Sequence, residues 1–145
     1  MTVYETLAGY LRPPYYHPVY SSRHSRHEAI KAQLYVLGFK LGYLSVLEAA
    51  VCGDVRNGEI DCLFVNKYDV NRVVCAFEID GSLRDKSSVK LLTLPEHTEK
   101  IVISFGSPSS WDKMVSRRDG EGLPHGIRFF RLLTKSQMTQ LGAIE

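Results

Sequence analysis

The chain has 145 residues, 44% of them apolar and 23% charged, with a formal net charge of +2. Those values exclude a disordered or fibrous chain and point to one domain, residues 1–145, with room for a core. No apolar run nears the roughly 20 residues of a membrane span, so no membrane partner is expected.

The mild net charge hides an uneven distribution. Arg12, Arg23, Arg26, Lys31 and Lys40 are set against a single acid, Glu28, between residues 12 and 40. Lys113, Arg117, Arg118, Arg128, Arg131 and Lys135 are set against only Asp119 and Glu121. The acids concentrate between these flanks. That pattern suits a polyanion gripped beside a metal, and it equally suits ordinary solvated faces. The start, MTVYETLAGYL, has no basic segment followed by an apolar block, so no secretory signal is expected. Cys52, Cys62 and Cys75 each sit in an apolar run without close pairing. They read as reduced core thiols of an intracellular, cytoplasmic protein.

In chain order, residues 1–21 predict an extended arm, with one helical turn possible over Thr6–Leu11. The Pro- and Tyr-rich LRPPYYHPVY could stack on bases, cover a partner or pack back on the domain. Ser25-Arg26-His27-Glu28 fits a capping box, and Ile30, Leu34, Leu37 and Leu41 follow at helical spacing. A helix is therefore predicted over Arg26–Lys40. Strands are predicted over Ser45–Cys52, Glu59–Asn66 and Arg72–Asp80, the last two joined by a polar connection over Lys67–Asn71. A second helix is predicted over Asp85–Thr93 and a fourth buried strand over Lys100–Phe105. Trp111–Arg118 reads as a short basic helix, Ile127–Leu133 as a fifth strand at the sheet edge and Thr134–Leu141 as a terminal helix. The whole is a single α/β domain with a central mixed sheet flanked by helices.

Glu78 and Asp80 stand two residues apart at the exit of the third strand, so they share a face. Antiparallel pairing of the second and third strands brings Asp61 toward them. Such acids imply a metal site, a catalytic site or a buried ion-pair cluster with Lys90, Arg72 or Lys100. His24 and His27 lack a third zinc ligand at suitable spacing, which leaves them exposed or phosphate-contacting. No G-x-S-x-G elbow, P-loop or G-x-G-x-x-G is present.

The order helix, three strands, helix, strand, with acids at Glu28, Asp61, Glu78 and Asp80, resembles the PD-(D/E)xK nuclease superfamily over roughly residues 23–105. The resemblance implies a restriction-endonuclease-like αβββαβ core, here as core residues 22–105 with C-terminal additions over 106–145. It implies that Asp61 and Glu78 bind Mg2+ or Mn2+. Glu28, ahead of Leu37-Gly38-Phe39, is similar to the first-helix acid of archaeal Holliday-junction resolvases. The family lysine, two residues after the third-strand acid, is Asp80 here. Glu78-Ile79-Asp80-Gly81 is similar to the E-x-D-G variant of very-short-patch-repair endonucleases, with Asp80 as a further metal ligand or a holder of a basic residue. Lys90, or else Lys86, would then supply the ammonium. The implied activity is metal-dependent DNA cleavage by a homodimer, with Arg23, Arg26, Lys113, Arg117 and Arg118 on backbone phosphate. The rivals are a non-cleaving DNA-binding relative and a protein-interaction domain built on the Tyr-rich arm.

Overall fold

In the computed structural model, residues 2–13, 22–50, 58–81, 85–105, 126–132 and 139–140 are described. The elements run α1 (Val3–Tyr10), α2 (Arg23–Lys40), β1 (Leu44–Ala50), β2 (Glu59–Asn66), β3 (Asp69–Asp80), α3 (Asp85–Leu92), β4 (Glu99–Ser104) and β5 (Ile127–Arg131). They build a five-stranded mixed sheet of order β1-β2-β3-β4-β5. β1, β2 and β3 are antiparallel neighbours, while β4 and β5 run parallel to β3. This is the expected α/β architecture with a mixed sheet, and β5 lies at an edge as anticipated.

Alternation along the strands divides two cores. Cys62, Phe64, Phe77, Ile79, Ile101 and Ile103 pack with Ile30, Leu34 and Leu37 of α2 and with Val3, Leu7 and Leu11 around α1. Leu63, Val65, Ala76 and Val102 pack on the other face with Leu91 of α3 and Leu94. Thus α1 and α2 cover one face and α3 the other. No helix among the described residues is long and apolar enough to cross a membrane. Cys62 and Cys75 are free and buried. Burial pushes the Cys62 thiol up to about 12, and Cys75 also well above its usual value, so both stay protonated.

Several boundaries differ from expectation, each for a local reason. Ser22, not Ser25, caps α2: its side chain accepts from Ser25 N at 3.0 Å. The helix therefore begins at Arg23, and Glu28 has no capping role; it pairs with Lys31 at 2.9 Å. The β2–β3 turn is shorter than the five residues allowed for it. Asn66 Oδ1 accepts from Tyr68 N and Asp69 N at 2.8 and 3.1 Å, closing the chain over Lys67 and Tyr68. Within the expected arm, Val3–Tyr10 is a helix. Its first turn is held from a distance, because Glu99 accepts from Val3 N at 3.0 Å and Tyr4 N at 2.8 Å. Residues 14–21, the helix over 111–118 and most of the terminal helix lie outside the described residues.

The approach of α2 to the sheet depends on Gly38. A Cβ there would collide with Ser45 Oγ and come within 2.8 Å of the Phe64 ring. Gly38→Ala is expected to destabilise the fold by about 1–3 kcal/mol through overpacking, read as a lowered urea midpoint at unchanged slope.

Candidate functional site

Strand register creates a row of acids. Leu47 lies opposite Cys62, and Cys62 opposite Phe77. One step further along, Glu48, Asp61 and Glu78 fall side by side on β1, β2 and β3. The register that does this is not the simple continuation of the hairpin. Asn66 pairs with Asp69, whereas Phe64 pairs with Cys75, because extra residues are inserted on β3. Without those irregularities Asp61 would face Val74; with them it faces Glu78.

The β2–β3 main-chain ladder stops at Cys62 and Phe77. Beyond it the carboxylates take over. Asp61 N donates to Glu78 Oε2 at 3.2 Å, and Ile79 N donates to Asp61 Oδ2 at 2.7 Å. Each acid thus satisfies a main-chain donor of the opposite strand, and the strands fork around the pair. Glu48 departs from strand geometry too, with φ at 52°, a left-handed conformation that non-glycine residues occupy at a cost of about 1–3 kcal/mol.

The early start of α2 sets a matching row of basic side chains. Arg23, His27 and Lys31 follow at four-residue spacing, so they line one helical stripe. Each meets an acid on a different strand. Arg23 Nη2 lies 3.9 Å from Asp80 Oδ1, His27 Nε2 lies 3.4 Å from Asp61 Oδ2, and Lys31 Nζ lies 2.6 Å from Glu48 Oε1. Lys31 also holds Glu28, whose carboxylate stands 3.6 Å from His27 Nδ1. From the opposite face, Lys90 of α3 pairs with Glu78 Oε1 and donates to the Glu59 carbonyl at 3.0 Å. Gly81 keeps the end of β3 open: a Cβ there would lie 2.8 Å from Arg23 Nε and 3.1 Å from the Phe105 ring.

These contacts pull the two central acids apart in acidity. Burial and the neighbouring Asp61 carboxylate raise Glu78, and Lys90 offsets only part of the rise. Burial also works against ionising Asp61, but hydrogen bonds from His27, from Glu78 and from the Ile79 amide hold it below the usual carboxylate range. The two carboxylates interact, Glu78 being the harder of the pair to ionise and Asp61 the easier. The Asp61 contact raises His27 in turn, and the Lys31 contact lowers Glu28.

All of this surrounds one cavity of about 540 Å³, lined by Arg23, His24, His27, Glu28, Glu48, Asp61, Glu78, Ile79, Asp80, Gly81, Lys90 and Phe105. The expected approach of Asp61 to Glu78 and of Lys90 to Glu78 is present. The expected trio of ligands is not. Among the described residues no three His, Cys, Asp or Glu side chains stand close enough together to hold a metal ion. Asp80, 2% exposed, faces Arg23 instead, because Glu78 alone leans toward the fork while Asp80 lies past it. Arg26 is half-buried on α2, and Lys113, Arg117 and Arg118 lie outside the described residues, as does the Lys86 side chain. His27, Lys31 and Glu48 joined the site unforeseen. The four-residue spacing of Arg23, His27 and Lys31 was the signal for the first two, once the helix start is placed at Ser22.

The donor set fits a small divalent cation held mainly by solvent. A cation would relieve the mutual repulsion of two carboxylates held against each other at the fork. Mg2+ commonly takes only one or two carboxylates, the rest of its shell being water and phosphate. The chain matches no protein-family model, no curated protein and no solved structure.

Proposed function

We propose that the protein is a divalent-metal-dependent DNA endonuclease of the restriction-endonuclease-like type. The observation that carries this reading is the Asp61–Glu78 pair at the β2–β3 fork, with the Lys90 ammonium on Glu78. The order α2-β1-β2-β3-α3-β4, with three antiparallel strands and β4 parallel to β3, supports it.

Asp61 and Glu78 would hold Mg2+ or Mn2+, which supplies Lewis acidity toward a phosphodiester and a more acidic bound water. Lys90 keeps a positive charge beside the pair in place of a lysine on the strand, and its bond to the Glu59 carbonyl fixes its direction. Asp80 orients Arg23 across the cavity mouth, where the guanidinium can meet a phosphate. Lys31 restrains Glu48 and Glu28, and Glu28 in turn borders His27. Burial of Ile79 and Phe105 beside the acids limits water around them and strengthens these charges.

The test is cleavage of supercoiled, linear and branched DNA with magnesium, with manganese and with EDTA. Cleavage that persists in EDTA contradicts the reading. A second reading, DNA binding without cleavage, is favoured by the Lys90 ammonium already occupying Glu78 Oε1. Binding of intact DNA under every metal condition would support it.

Arg23 should govern affinity under either reading. Arg23→Ala is expected to weaken DNA binding for all sequences alike. It should also reduce the slope of log affinity against log salt by about one, measured by fluorescence anisotropy between low and moderate salt.

A further inference from the structure

Lys31 is buried on α2, 8% exposed, and its ammonium lies between two carboxylates. Glu48 Oε1 stands 2.6 Å from Nζ, and Glu28 Oε1 stands 2.9 Å from it. Both acids line the cavity that holds Asp61 and Glu78. Glu28 is linked to Asp61 through His27, whose ring nitrogens lie 3.6 Å from Glu28 and 3.4 Å from Asp61. The backbone of β1 bends to make this arrangement. Leu47 and Ala49 pair with Cys62 and Ile60, which belong to the two opposite cores. Residues two apart on a regular strand share a face. The left-handed φ of Glu48 breaks that alternation between them, and the Glu48 carboxylate meets α2. A strained residue of this kind persists where the surrounding contacts hold it.

We propose that the Lys31 ammonium stands where a second divalent ion would otherwise bind. The first is the ion that the nuclease reading assigns to Asp61 and Glu78, and on that reading this role rests. Two carboxylate oxygens converge on one cationic centre, and their side chains are 43 and 46% exposed, open to water on the far side. Mg2+ and Mn2+ sites are commonly built from one or two carboxylates with water completing the shell. An ammonium in that place satisfies both acids with its own donors. It carries a single charge, acidifies no water, and repels a dication. Burial works against the charge, but the bonds to Glu48 and Glu28 raise the ammonium above its ordinary value, so it is charged at neutral pH. Lys31 is thus a positioning residue. It holds the two outer acids and leaves the metal to the inner pair.

Manganese titration of the full chain, with free ion counted by electron paramagnetic resonance, tests this role. The parent should stay at one bound ion as manganese rises. Lys31→Met keeps the buried stem and removes the charge, and it should bind two ions, close enough to broaden each other's spectrum. Lys31→Arg should return the count to one, and so should Glu48→Gln added to Lys31→Met. Urea unfolding gives a second readout. Manganese should raise the midpoint of Lys31→Met more than that of the parent, because the extra ion binds only the folded state. The same count in Lys31→Met and in the parent, as a purely structural ion pair would give, overturns the proposal. So does a second ion in the parent that is lost in Glu48→Gln, a result that needs no folded Lys31→Met. No ion in the parent beside one in Lys31→Met would keep the role of Lys31 and remove the metal from Asp61 and Glu78.

Discussion

Supercoiled DNA incubated with Asp61→Asn in magnesium is expected to remain intact, with cleavage lowered at least about 100-fold. Loss of a residue that merely orients a metal ligand commonly costs 10–100-fold, and loss of the ligand itself should exceed that. Asn keeps the size and one carbonyl oxygen, so Ile79 N retains an acceptor where it now bonds at 2.7 Å. The strand fork should therefore survive, and the variant should melt close to the parent. Glu78→Gln should match it in activity, because either carboxylate alone is a poor site for a hard dication. Glu48→Gln offers a contrast. Glu48 touches Lys31 and not the pair, so its loss should cost far less. Equal loss in all three variants would mean that the acids serve folding rather than chemistry.

Lys90→Met should be strongly destabilising, and the size should depend on pH. Lys90 and Glu78 are both largely buried, with side chains 13 and 2% exposed. Removing one partner of such a pair costs about 3–5 kcal/mol when the other stays charged. Glu78 need not stay charged. Its folded value lies above the ordinary 4.5, raised by burial and by Asp61. The folded state therefore binds more protons than the unfolded state above that ordinary value. Stability accordingly falls as pH climbs from about 4.5 toward the raised folded value. Asp61 works in the opposite sense. Its folded value lies below the ordinary 3.8, so its contribution is present above 3.8 and is lost as pH drops through the folded value. Parent protein should thus be most stable in mildly acidic solution when metal is absent. Lys90→Met should carry the decline on to higher pH, and Glu78→Gln should flatten it. Urea unfolding across this range decides the matter: a flat profile in the parent contradicts the raised Glu78 carboxyl.

The hairpin and its acids were legible because both signals are local. Period-two alternation over Glu59–Asn66 and Arg72–Asp80 marks the strands, and a short polar connection forces them to be neighbours. The β3 irregularities were not legible, since the inserted residues between Asp69 and Val73 carry no glycine. The placement of Asp61 near Glu78 nevertheless came through, because the apolar faces of both strands must match against the same core. The start of α2 was misread for a specific reason. Ser22 and Ser25 both qualify as caps, and Glu28 three residues after Ser25 favours the later one. Shifting the start to Arg23 exposes the Arg23–His27–Lys31 stripe. Glu48 could not be assigned without knowing which strands are neighbours, because its two partners in the row come from β2 and β3. The role of Asp80 depended on which basic side chain reached it, and that proved to be Arg23 from α2.

Placing both rows in one frame explains why the site needs so many elements. β1 and β2 deliver one acid each and β3 delivers two, α2 brings a basic side chain to three of the four, and α3 delivers Lys90 to Glu78. The cations balance the acids around the fork, while Asp61 and Glu78 remain in direct contact with each other. Under the proposed reading, that contact is where an added dication would gain two carboxylates and displace any proton they hold.

Manganese binding to the full chain, followed by calorimetry at two buffer ionisation enthalpies, tests this most directly. One ion should bind at neutral pH with release of a proton, and binding should be lost in both Asp61→Asn and Glu78→Gln while persisting in Glu48→Gln. No binding, or binding that survives loss of Asp61 and of Glu78, would contradict the assignment of this pair as the metal site.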